Sequence, residues 1–259
     1  MDDPREGGRL ERKVNAQQFV DRFLKPHLDN LSGGIILEAG CGPGAISAAV
    51  ANNYLNLSII GIDISEDRIN QANAKLTGLP NSTAIRANIY ELPFPDNHFD
   101  FVYSRFLFEY LKEPVAAAKE LFRVCKPGAK LLLQDLDGQF SFYPEVVPQL
   151  HNLLAKLTAE TGFDPNVGRK LFSFGRAAGF SFLNAESECY HKVFGAIDDF
   201  NYGLWNLKLD IACNYLSRLV GQSRSANLKL HFLAALKDED TILFSQLFTL
   251  TFEKPMSEN

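Results

Sequence analysis

Glu38-Ala39-Gly40-Cys41-Gly42-Pro43-Gly44 follows the apolar run Ile35-Ile36-Leu37 and leads into Ala45 to Asn52, a stretch that reads as helix. Strand, glycine-rich turn and helix in that order are the context a nucleotide-type loop requires. Glycines at every second position strip Cβ atoms from one side of the turn, so a flat, extended ligand can lie against the main chain. The next apolar run, Leu57 to Ile62, ends in an acid, Asp63, 23 residues after Gly40. That is close to the ~20 at which an acid accepts the hydroxyls of a ribose. The dinucleotide fingerprint G-x-G-x-x-G is not met, because the third glycine comes one place early and no basic residue lies in the turn. The spacing therefore predicts a nucleoside ligand with a ribose and no phosphate, and S-adenosylmethionine (SAM) fits that description.

Outward from the turn, the first half alternates apolar runs with amphipathic ones. Strands are expected at 35–37, 57–62, 83–87, 98–103 and 130–134, and helices at 44–53, 65–77 and 113–125. Ser65 stands where an N-cap belongs, with Glu66 and Asp67 in the first turn and Gly78 as a stop. Strict βαβ alternation means parallel strands with helices on both faces. Beyond Asp137 the pattern changes. Residues 139–178 read as a connection with helices around 151–161 and 168–178, and 182–194 as a long strand. Residues 198–220 form a helix with Phe200, Leu204, Leu207, Ile211, Tyr215 and Leu219 on one stripe, ended by Gly221. A helix at 226–236 and a strand at 242–252 follow, the last two strands making an antiparallel hairpin. The fold class is α/β: a doubly wound, mostly parallel seven-stranded sheet, Rossmann-like, with an N-terminal helix and a helical lid insertion. One domain over 1–259 is expected. It comprises an N-terminal helical cap (1–30), a cofactor-binding core (31–136), a substrate and lid region with one sheet strand (137–240), and a last strand and tail (241–259).

Composition narrows the function. The chain has 259 residues, 46% of them hydrophobic, enough for a large core. A net charge of −5 argues against a nucleic-acid surface. The densest basic stretch, Arg9-Leu10-Glu11-Arg12-Lys13, is broken by an acid and reads as a solvated helix face. Cys41, Cys125, Cys189 and Cys213 show no C-x-x-C spacing, so neither a zinc ribbon nor a redox pair is indicated. No run approaches the ~18 to 20 apolar residues of a membrane span, and the first residues carry no apolar leader core. A soluble, cytoplasmic protein with reduced thiols is the expectation.

Several motifs agree in order. Glu38-x-Gly40-x-Gly42-x-Gly44 comes first, then Ile60-Gly61-Ile62-Asp63-Ile64-Ser65 and Ala87-Asn88-Ile89. The loop Leu92-Pro93-Phe94-Pro95-Asp96-Asn97-His98-Phe99-Asp100 and the run from Leu121 to Ala129 complete the set. With these the chain resembles the class I SAM-dependent methyltransferases, in particular the type 11-like, small-molecule branch. The resemblance is strong over 35–135. Past Asp137 it is weak, although Gly168-Arg169-Lys170-Leu171 and Ala177-Ala178-Gly179-Phe180 are similar to natural-product members. It implies SAM as cofactor, S-adenosylhomocysteine (SAH) as product, and cofactor contacts from Glu38, Ala39, Gly40, Gly42, Asp63 and Ile64. Arg68, Asn88, Ile89, Ser104 and Arg105 complete that set.

These residues have competing readings. A buried acid is costly without donors; ribose hydroxyls supply them to Asp63, since Ser65 already serves as the N-cap. The resemblance makes Glu38 an orienter of the loop or of the methionine amino group, against a structural ion pair. Asn88 stands where many members have Asp; it would bond the adenine while Ile89 packs on the ring, against a plain turn residue. Arg105 pairs with the methionine carboxylate or bridges to Glu109 four residues on. Tyr110 takes the place of a histidine found in many members. No general base is legible, and Tyr110, Tyr143 and His151 are the candidates. His191 and His231 read as structural. Asp135 and Asp137, placed after the fifth strand, would hold a cationic substrate or cap the turn. No metal is expected, because Ser104-Arg105 replaces the acids a metal-dependent relative would need. Phe140, Phe142, Tyr143, Phe200, Tyr202 and Trp205 pack the insertion or line an apolar pocket.

The expected activity is methyl transfer to an O, N or C nucleophile of a small, largely apolar metabolite by in-line displacement. The helix around 17–24 and the insertion from Phe140 to Asp240 would close over the site. The partner is a small molecule, with no nucleic acid and no membrane, and a homodimer is left open. Alternatives are methylation of a protein or peptide side chain, or a non-catalytic scaffold subunit. A nicotinamide reductase is disfavoured by the glycine spacing and the missing Tyr-x-x-x-Lys pair.

Overall fold

The apolar runs beside the glycine turn become neighbouring parallel strands, because helices cover both of their faces. The computed structural model describes residues 15–145 and 150–256, so the Arg9–Lys13 stretch lies outside the described residues. The strands are β1 (Gly34–Ala39), β2 (Leu57–Asp63), β3 (Ser82–Arg86), β4 (Phe99–Arg105) and β5 (Cys125–Tyr143). β6 (Ser181–Phe194) and β7 (Ile242–Glu253) follow. Their order in one sheet is β3-β2-β1-β4-β5-β7-β6. β1 pairs in parallel with β2 and β4, β2 with β3, and β4 with β5. The order reverses between β1 and β4, and open α/β sheets bind ligands at the carboxyl ends of the strands there.

Alternation along the strands sorts the core into layers. Ile36 and Phe101 point to one face, where they meet Phe19, Leu24, Val50 and Tyr103. Leu37 and Val102 point to the other, where they meet Leu121, Val124, Leu171 and Phe180. The first face is covered by a helical run, α1, made of Ala16–Phe19, a π-helical turn at Val20–Leu24 and Lys25–Leu28, together with α2 (Ala45–Asn53). The second is covered by α4 (Pro114–Val124) and α6 (Leu171–Ala178). Between α2 and α4 in the chain, α3 (Glu66–Leu76) packs Ile69, Ala72 and Leu76 against Cys41 and Ala84. The second half adds α5 (Leu150–Thr161), α7 (Asp199–Val220) and α8 (Gln222–Ala235). α7 and α8 enclose a separate cluster of Trp205, Leu209, Phe232 and Leu243, backed by Phe140 and Phe142.

The last two strands form the expected antiparallel hairpin, and β7 also runs antiparallel to β5, so the sheet is mixed. Three expectations are corrected. Residues Gln139 to Tyr143 belong to β5, whose partner β7 is long enough to carry the ladder from Lys130–Glu253 to Tyr143–Ile242 past a bulge. Asp135 and Asp137 therefore lie within β5 and not after it. Lastly, α7 buries Trp205, Leu209 and Ile211, while Phe200 at its first turn is 61% exposed. Of the expected stripe, Ile211 is buried and Leu204, Leu207, Tyr215 and Leu219 are half-buried, and only Phe200 stands out, because α7 packs mainly through its middle, against α8 and the ends of β5 and β7.

Candidate cofactor and acceptor site

The turn between β1 and α2 places three glycines at positive φ: Gly40 (79°), Gly42 (52°) and Gly44 (77°). Their uses differ. A Cβ on Gly44 would meet the Cα and Cβ of Ala72 at 3.0 and 2.9 Å, so this glycine lets α2 and α3 approach. A Cβ on Gly42 would meet nothing within 4 Å. The open side of the turn is at Gly42, and it faces a cavity of about 430 Å³.

Asp63, at the end of β2, closes the turn. Its carboxylate accepts from Gly42 N–H at 3.1 Å and Ser65 N–H at 2.9 Å, and Arg68 Nη1 stands 3.8 Å away. The Ser65 side chain makes no capping bond, so Asp63 serves the start of α3 as well as the turn. A carboxylate offers about four lone-pair sites, which leaves capacity for ribose hydroxyls. Beneath the turn, Glu38 is buried and accepts from Ser47 Oγ and, at 3.0 Å, from Tyr103 OH. Burial pushes its pKa up to about 7 against the pull of these hydroxyls and of Arg105.

Arg105 leaves the end of β4 and donates from Nε to Gln134 Oε1 at 2.7 Å. Its guanidinium lies over Phe19 and Phe106, 5.0 and 4.2 Å from the ring centroids. Burial lowers its pKa, opposed by Tyr190 and Glu38. Glu109 accepts from Gln139 Nε2, and its own N–H donates to Asp135 Oδ2 at 3.1 Å. Burial and the neighbouring Glu109 raise Asp135 well above the usual carboxylate range. Asp137 accepts from the Arg169 backbone and guanidinium, which ties β5 to the helical turn before α6.

The cavity wall brings together Glu38, Gly40, Gly42, Asp63, Ile64 and Arg68 from the first two strand ends. Asn88, Ile89, Arg105 and Tyr110 come from the third and fourth. Asn88 is also a turn residue, accepting from Tyr90 N–H at 3.2 Å. Ala39 and Ser104 are buried in the strands behind and do not line the cavity; Ser104 Oγ has no hydrogen-bond partner. Of the three base candidates Tyr110 lines this cavity, while Tyr143, 71% exposed at the end of β5, and His151, exposed on α5, do not. His191 is buried with Nδ1 2.8 Å from Ser245 Oγ. No residue of α1 lines the cavity, since Phe19, Val20, Leu24 and Leu28 are spent in the core. Among the described residues no group of three His, Cys, Asp or Glu could hold a metal ion. No helix there is long and apolar enough to cross a membrane.

Tyr190, Leu107 and Lys208 also line this cavity. Sequence reading missed Tyr190 and Lys208, which come from β6 and α7 and carry no local motif. A second cavity, of about 210 Å³, lies under α5, α7 and α8 with Leu153, Leu157, Phe140, Ile211 and Phe232 in its wall. Tyr110, Thr161 and Lys208 line both cavities.

The comparisons agree with this geometry. Residues 37–133 match the family model described as Methyltransferase domain, the stretch from β1 into β5. An uncharacterized methyltransferase of Schizosaccharomyces pombe is 33% identical over 52% of the chain and 52% of its own length. The O-methyltransferase resE of Aspergillus sclerotiorum is 29% identical over 57% of the chain and 61% of its own length. The chain thus spans little more than half the length of these relatives. The fold matches that of Haemonchus contortus phosphoethanolamine N-methyltransferase 2, solved with SAH. There the TM-score is 0.59 at 16% identity, over 93% of this chain and 53% of that one. Over residues 37–133 the chain is thus similar to a methyltransferase domain, and its sheet order and glycine turn agree with that fold. SAM is the methyl donor of such domains, and the open side of Gly42, the spare lone pairs of Asp63 and the apolar wall at Ile89 fit that nucleoside.

Proposed function

We propose that this protein transfers a methyl group from SAM to an O, N or C nucleophile of a small, largely apolar molecule. The observation that carries the reading is the meeting of two cavities at Tyr110, Thr161 and Lys208. One is walled by the glycine turn and Asp63, the other by apolar side chains. When bound, SAM supplies a methyl group already activated on a sulfonium, so the protein's share is placement. Asp63 takes the ribose hydroxyls, Ile89 and Asn88 flank the adenine, and Glu38 and Arg105 serve the amino and carboxylate ends of the methionine part. Alignment of reacting atoms lowers a barrier by as much as ~7 to 11 kcal/mol in well-oriented cases. Leu153, Leu157 and Phe232 exclude water from the acceptor side.

The test is incubation with methyl-labelled SAM and a panel of small apolar phenols, carboxylic acids and amines, beside a set of peptides. Label on a small acceptor supports the reading. Label on peptides alone would replace it with protein methylation.

A further inference from the structure

We propose that Gln134 is a positioning residue for the cofactor: it holds the Arg105 guanidinium ready for the methionine carboxylate, and so makes the compartment select SAM and SAH over adenosine thioethers that lack an amino-acid end. This rests on the methyltransferase reading above. Arg105, at the end of β4, stands opposite Gln134 on β5, and Gln134 stands opposite Thr249 on β7. The register lays three polar side chains in one row across three strands. Arg105 Nε donates to Gln134 Oε1 at 2.7 Å, and Gln134 Nε2 donates to Thr249 Oγ1 at 2.7 Å. A guanidinium has no acceptor, so the amide oxygen has to face it. Thr249 takes the other end of the amide and fixes that orientation.

Gln134 and Thr249 are buried. The sheet face that Gln134 shares with Leu132 is apolar, with Phe101, Tyr103 and Phe19. An amide is costly there unless its bonds are made. A leucine would fill the layer; the amide adds a bond to Arg105. The main chain of Gln134 serves the same site, since its carbonyl accepts from Phe106 N–H at 3.0 Å. Phe106 has a φ of 55°, which a bulky residue keeps only where its surroundings impose it. Its ring centroid lies 4.2 Å from the guanidinium. Gln134 thus holds the guanidinium directly and also the ring beside it. A guanidinium has five N–H donors. Gln134 takes one, Tyr190 hydrogen-bonds the same group, and a bidentate carboxylate needs two more. Arg105 and Glu38 line the cofactor cavity together, which suits the two charged ends of one amino acid. A fork fixed before the ligand arrives loses less freedom on binding.

SAH and 5′-methylthioadenosine share the nucleoside and the sulfur, and only SAH carries the amino-acid end. Each is titrated calorimetrically into the wild type, Gln134→Met, Arg105→Met and the double variant. Gln134→Met should weaken SAH binding about tenfold and leave 5′-methylthioadenosine within about twofold. In the Arg105→Met background, Gln134→Met should change SAH affinity no further, because it acts through the guanidinium. Thr249→Val removes only the outer bond of the row and should weaken SAH about threefold without touching 5′-methylthioadenosine. It carries the comparison if Gln134→Met does not fold. Unchanged SAH affinity, equal weakening of both ligands, or a loss that persists in the Arg105→Met background overturns the proposal. Absence of SAH binding by the wild type strikes the methyltransferase reading. Intact SAH binding without the split between the two ligands strikes this inference alone.

Discussion

Asp63 is the residue on which the cofactor compartment turns. It holds Gly42 N–H and Ser65 N–H at once, so it fixes the open side of the turn and the start of α3 before any ligand arrives. Hydrogen bonds to a charged group are worth about 1.5–3 kcal/mol. Asp63→Ala should therefore weaken SAH binding by about 10- to 100-fold, read by calorimetry. Glu38 carries a second prediction. Its pKa rises from 4.5 to about 7 in the fold. Between those values the folded state keeps a proton that the unfolded chain has released, so stability falls as pH rises through that window. The slope is at most about 1.4 kcal/mol per pH unit for this group. Urea midpoints across pH 4.5 to 7 should drop less steeply in Glu38→Gln than in the wild type.

Among the elements, β5 and β7 decide how the second half is arranged. Their ladder extends past the edge of β4, and the extension carries Gln139, Phe140 and Phe142 to α7 and α8. Without it the second cavity would lose Phe140 from its wall. α6 docks on the same pair of strands through Gly175, where an added Cβ would come within 2.5 Å of the Phe252 ring. Overpacking of a close core contact costs about 1–3 kcal/mol. Gly175→Ala should lower the urea midpoint accordingly while leaving SAH affinity unchanged, because Gly175 lies outside both cavity walls. The first-half elements were legible because each had local punctuation, such as Gly78 after α3 or the glycine turn after β1. The length of β5 was not, because Gln139 to Tyr143 become strand only through pairing with β7, a hundred residues away in the chain.

At the scale of the molecule, one sheet presents two compartments side by side. That Gly40, Gly42, Asp63, Asn88 and Arg105 share one cavity wall was legible because they sit at fixed spacings in successive strand ends. The second cavity was not, because Leu157, Lys208 and Phe232 reach it from separate elements of the second half. Tyr143 and His151 lie outside both of these cavities, and nothing local in the sequence says which way the end of β5 or α5 turns. The central claim is that the compartment between β1 and β4 holds SAM. Calorimetric titration with SAH, and with NAD as the contrasting ligand, tests it most directly. Micromolar binding of SAH, none of NAD, and weakened SAH binding in Asp63→Ala are predicted. Absence of SAH binding, or affinity unchanged by Asp63→Ala, would contradict it.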